Sequence, residues 1–96
     1  MNMAAITQSP FIHTLSASST LTISIDDGFT KISIKNPTTS SGNVTITGNG
    51  TAYSVGVGNG VVLQAGEDWT WVSSTYPIDG VTITTDAGTT AQITAT

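Results

Sequence analysis

Thr20-Leu21-Thr22-Ile23-Ser24-Ile25 and Asn43-Val44-Thr45-Ile46-Thr47 set the pattern of this chain, in which a branched apolar residue alternates with a hydroxyl or other small polar residue. A period of two puts the apolar set on one face of an extended strand and the hydroxyl set on the other. From Leu15 onward such segments recur about every 8 to 12 residues, the spacing of a sandwich or barrel. The pattern predicts strands near residues 19–26, 29–35, 43–48, 52–57, 60–65, 68–73, 79–85 and 90–95. Helical period appears over no useful length. The expected fold class is all-β: a small antiparallel β-sandwich or jelly-roll-like barrel of about eight short strands.

Turn chemistry falls where this parse needs it. Asp27-Gly28 accommodates positive φ and is read as a tight hairpin between the first two predicted strands. Asn36-Pro37 ends the second, because proline donates no ladder hydrogen bond and restricts the residue before it. Asn49-Gly50 and Asn59-Gly60, each within Gly-Asn-Gly, predict a central meander around Tyr53, Val55 and Val57. Pro77, Asp79-Gly80 and Asp86-Ala87-Gly88 punctuate the last two strands. Residues 1–14 carry Pro10, no sustained period and the apolar residues Ile6, Phe11 and Ile12, and are read as an extended N-terminal arm preceding a single domain at 15–96.

Composition sharpens this picture. Charged residues make up only 8% of the 96 positions, against about 25% in typical soluble domains. Thr, Ser, Gly and Asn must therefore cover most of the exterior. A sheet protein with so few charges has little protection against edge-to-edge pairing, and its edges need covering or a partner. The net charge is −4 and the only cations are Lys31 and Lys35, too few to neutralise the phosphates of a nucleic-acid partner. No apolar run approaches the roughly 18 residues of a membrane-spanning helix. There is no cysteine, hence no disulfide framework or thiolate metal site. The start, Met1-Asn2-Met3-Ala4-Ala5-Ile6, lacks the basic and apolar regions of a signal peptide, so synthesis in a cytoplasm is expected.

Candidate chemistry is sparse. His13 is the sole histidine and sits in the arm, which leaves no two-histidine zinc motif and no Ser-His-Asp set with a histidine to spare. Most of the six acids sit at turns, and Glu67 and Asp68, adjacent in a strand, would face opposite ways, unlike a glycosidase pair. Calcium binding would require the fold to gather Asp26, Asp27 and Asp86, whose spacing matches no EF-hand. The expectation is no enzyme, with no catalytic residue, metal or cofactor assigned. Trp69 and Trp71 alternate onto one face of a strand, with Tyr76 just beyond; they serve as core anchors, an interface hot spot or a sugar-stacking platform. Lys31, Ser33 and Lys35 share the face opposite Ile32 and Ile34, marking that strand as an exposed edge or a solvent-facing row.

Three segments, Leu63-Gln64-Ala65-Gly66-Glu67-Asp68-Trp69-Thr70-Trp71, Pro77-Ile78-Asp79-Gly80-Val81-Thr82-Ile83 and Gly88-Thr89-Thr90-Ala91-Gln92-Ile93-Thr94, resemble the C-terminal half of small structural proteins of tailed bacteriophages. The resemblance covers the last third of the chain. It implies a virion component made in the host cytoplasm, foremost a capsid decoration or cement protein that stabilises contacts between major capsid subunits. It further implies a homo-oligomer, with a trimer as the first expectation, and partners among the major capsid or other virion proteins. The residues assigned to partner binding are Ile6, Pro10, Phe11 and Ile12 of the arm, together with Trp69, Trp71 and Tyr76. The alternatives are a tail, baseplate or head-fibre component and, from another class, a carbohydrate-binding module.

Overall fold

The computed structural model describes residues 10–48, 60–73, 77, 78 and 80–96. Among them run β1 (Phe11–Leu15), β2 (Thr20–Ile23), β3 (Lys31–Lys35), β4 (Val44–Gly48), β5 (Val61–Leu63), β6 (Asp68–Val72), β7 (Val81–Thr85) and β8 (Ala91–Ala95), with one short 3-10 turn at Ile25–Asp27. They form two antiparallel four-stranded sheets, ordered β1-β8-β3-β6 and β2-β7-β4-β5. Every connection except β4 to β5 crosses from one sheet to the other, which is the strand order of a jelly roll.

Alternation explains the core directly. In β3, Ile32 and Ile34 are buried while Lys31 and Lys35 are exposed, and in β8 Ala91, Ile93 and Ala95 are buried between exposed Gln92 and Thr94. The second sheet answers with Ile23, Val44, Ile46, Leu63, Val81 and Ile83, all buried. Phe29 and Ile78 belong to the same core, and their backbones join where the Ile78 amide donates to the Phe29 carbonyl at 2.6 Å.

Seven predicted strands have counterparts here, in places trimmed by several residues; the eighth, at 52–57, lies outside the described residues together with Asn49-Gly50 and most of the second Gly-Asn-Gly. Two expectations are corrected. Phe11–Leu15 is not free arm but edge strand β1, paired with Ala91–Ala95 along its whole length. Phe11, His13 and Leu15 already alternate, and the pairing satisfies the β8 edge left open by β3. Asp27-Gly28 does not close a hairpin, since β2 and β3 belong to different sheets. Instead the Asp27 carboxylate accepts from the Ser24 amide at 2.9 Å, Gly28 takes φ +76°, and the chain steps across the core. Of the two readings of the lysine strand, an exposed edge or a solvent-facing row, the structure shows the second: β3 is central, between β8 and β6, and its lysines face solvent.

Asn36 does far more than end a strand. It is fully buried, and its side-chain Nδ2 donates to the carbonyls of Gly42 at 3.0 Å and Leu63 at 2.8 Å. Its own amide donates to Glu67 O and its carbonyl accepts from the Gly66 amide. One residue thereby ties the β3–β4 and β5–β6 connections together.

Ile34→Ala removes a fully buried side chain from a central strand, and urea denaturation is expected to show a loss of about 2–5 kcal/mol. Asn36→Ala strips a donor from two carbonyls; the same measurement should register a loss of about 1–3 kcal/mol, and a loss under a few tenths would refute this tying role.

Candidate functional site

Of the residues assigned to partner binding, Pro10, Phe11, Ile12, Trp69 and Trp71 are described, and they lie on two opposite borders of one sheet. Pro10 is exposed and leads into β1, where Phe11 turns inward, half-buried, and Ile12 points outward with 69% of its surface exposed. The Phe11 ring stacks on Phe29 with centroids 6.0 Å apart and on the exposed His13 at 5.4 Å. Across the sheet, Trp69 and Trp71 lie on edge strand β6, opposite Ile34 and Ile32 of β3. Two strands separate the borders, a gap of roughly 14 Å at ordinary strand spacing. Ile6 and Tyr76 lie outside the described residues.

The tryptophans share a face, as alternation requires, and that face is the inner one. Their rings stack with centroids 6.4 Å apart and planes 16° from parallel, and both pack against the buried core while staying half exposed. Half burial follows from position: an edge strand has one neighbour, so a large ring covers the core yet leaves its outer side in water. They are anchors with an accessible flank, not a free stacking platform. Val72, next along the strand, points outward and is 63% exposed.

The outer faces of the two sheets differ sharply. No residue in β2, β4, β5 or β7 is charged. On that sheet Thr20, Thr84 and Thr45 align across three neighbouring strands, and Thr22, Thr82 and Thr47 form a second row. The hydroxyls of Thr22 and Thr82 lie 3.1 Å apart and those of Thr20 and Thr84 3.5 Å apart, so each row contains a hydroxyl pair bonded across β2 and β7. On the other sheet the outward residues include both lysines of the chain and Asp68.

Asp26, Asp27 and Asp86 do not gather. Asp26 and Asp27 follow the C-terminal end of β2, whereas Asp86 lies near its start, where the Asp86 carbonyl accepts from the Ser18 amide. The Asp86 carboxylate accepts from the Asn43 amide at 2.9 Å, and that of Glu67 from the Gln64 amide at 2.7 Å. The Glu67 contact closes its own turn, as such residues do locally, whereas the Asp86 contact ties the β7–β8 connection to the residue before β4. Glu67 sits in the turn before β6 and Asp68 begins the strand, each exposed. Among the described residues no group of three or more His, Cys, Asp or Glu is placed to hold a metal ion.

The half-buried placement of the tryptophans makes two measurable statements. Trp69→Ala and Trp71→Ala are each expected to cost about 2–3 kcal/mol in chemical denaturation, less than the 3–5 kcal/mol of a fully buried ring, and acrylamide should quench the fluorescence of the folded protein partially. Complete protection from quenching would contradict an accessible flank.

Compared with known proteins, the chain matches no protein-family model, no curated protein sequence and no solved structure.

Proposed function

We propose that this chain is a non-enzymatic structural protein of a virion, a capsid decoration or cement protein that holds neighbouring major capsid subunits together. The observation that carries the reading is the uncharged exterior of the β2-β7-β4-β5 sheet, a hydroxyl surface bordered by strands that end each sheet without a charged guard except Asp68 on β6. Such a surface costs little to desolvate against another protein, because no ion has to leave water. Repetition over a shell supplies the rest, since many modest contacts made at once become a stable attachment. The open borders, with Phe11 and Ile12 on one and Trp69, Trp71 and Val72 on the other, serve self-association and subunit contact. The assembly is taken to be a trimer, and Ile6, Pro10 and Tyr76 belong to the same contact set.

The sequence resemblance to small bacteriophage structural proteins supports the same reading, and a tail, baseplate or head-fibre position is its variant. The carbohydrate module built on Trp69 and Trp71 is disfavoured by the packing of both rings onto the core.

Purified protein mixed with capsids of its own virus that lack it is expected to co-sediment to saturation and to raise the temperature at which the shell opens. Failure to bind removes the cement role. Native mass spectrometry of the free protein should give a trimer, and a monomer at all concentrations would remove the self-association part.

A further inference from the structure

A trough of about 280 Å³ lies on the outer face of the β1-β8-β3-β6 sheet, lined by Ser33, Lys35, Asp68, Thr70, Gln92 and Thr94 and floored by the central strand at Ile34. Its polar side chains stand in two rungs. Lys35 lies opposite Asp68 on one side and Gln92 on the other, and Ser33 lies opposite Thr70 and Thr94. The Ser33 and Thr70 hydroxyls are 3.1 Å apart and share one hydrogen bond, which leaves each with further capacity. Beside the second rung, outward-facing Ile12 pairs in register with Thr94 and adds an exposed apolar surface.

We propose that this trough binds a neutral saccharide, a property separate from attachment to a shell. The argument is one of matching functional groups. The lysine offers only donors, the carboxylate only acceptors, the amide one of each kind, and the three hydroxyls both. A sugar hydroxyl is donor and acceptor at once, so a run of neighbouring hydroxyls meets complementary partners along each rung. The single positive and single negative side chain leave the trough without net charge, which favours a neutral ligand over an anion or a cation. The methyl groups of Thr70 and Thr94 and the Lys35 stem supply the apolar contact that the C–H face of a sugar ring needs. All six polar residues stand on three hydrogen-bonded strands, so little order has to be gained on binding. The volume lies just under the usual range of ligand sites, roughly 300–1,000 Å³, and fits a small sugar unit, either free or at the end of a glycan. A virion surface protein with such a site would touch glycans of the cell it meets.

The test is a titration of isotope-labelled protein, followed by amide NMR, with glucose, galactose, mannose and N-acetylglucosamine, and with glycine as a zwitterionic control. At least one sugar should give saturable shifts centred on Ser33, Lys35, Asp68, Thr70, Gln92 and Thr94, with a dissociation constant on the order of millimolar. Gln92→Ala and Asp68→Asn should each weaken that binding about tenfold or more, while thermal unfolding shows both variants folded. No saturable response to any sugar overturns the proposal, as do a response to glycine alone, shifts centred elsewhere, or affinity unchanged in both folded variants. Capsid co-sedimentation of the same variants should match that of the parent protein, so loss of sugar binding and loss of shell binding are read separately.

Discussion

The pairing of β8 with both β1 and β3 is the constraint on which the rest of the structure depends. This C-terminal strand inserts between an N-terminal edge strand and the lysine strand, with Ile93 opposite Ile34 on one side and His13 on the other. It presents Ala91, Ile93 and Ala95 to the core, and the two small residues leave room for their larger neighbours, as where Ala95 faces Phe11 in register. Without β8, β1 has no partner and the inner face of β3 loses one wall. The sandwich closes only when segments from opposite ends of the chain meet, an arrangement that makes folding slow relative to folds built from local contacts.

A closed core of this kind says little about what the exterior must be, and here the exterior is unusual. Threonine does two jobs on the β2-β7-β4-β5 sheet. Its branched carbon favours the extended backbone, and its hydroxyl finds a partner across the strand, as between Thr22 and Thr82. Charge is thus not needed to keep this face hydrated. It is also not there to repel a neighbour, a feature on which the proposed role among many copies rests. Both lysines sit on the opposite sheet, so the molecule has two faces of different character. In the proposed virion role, that polarity would set one face against the shell and the other toward the surroundings.

The connections between strands carry more order than their polarity implies. Asn36 binds three other segments through its side chain and backbone, and Thr85 accepts from the Ser19 amide while donating to the Ser16 carbonyl at 2.6 Å. Gly42 packs so closely on the Asp86 and Thr89 side chains that a Cβ there would fall 2.8 Å from both. Crossing connections need such ties because each must leave one sheet and enter the other at a fixed height, and a sliding strand would turn its apolar residues to water.

Strand positions, the inward set Ile32, Ile34, Val44, Ile46, Val81 and Ile83, and the common face of Trp69 and Trp71 could all be read from the residues alone. The end of β3 at Asn36-Pro37 was equally legible, because proline acts on the backbone within a residue of itself; the turn at Gln64–Glu67 was not, since Gln64, Ala65 and Glu67 read as strand. Strand β1 was hidden because His13 interrupts its apolar set and its partner lies at the far end of the chain. The same blindness turned a crossing at Asp27-Gly28 into a hairpin, left open whether the lysine strand was an edge or a solvent-facing row, and concealed the buried links of Asn36 and the two-rung trough. Alternation is imposed by the pleat of a single strand and is therefore written locally. Which strands become neighbours, and so which outward residues share a surface, is settled only when both sheets bury their inner faces together, a condition that no single stretch of residues contains.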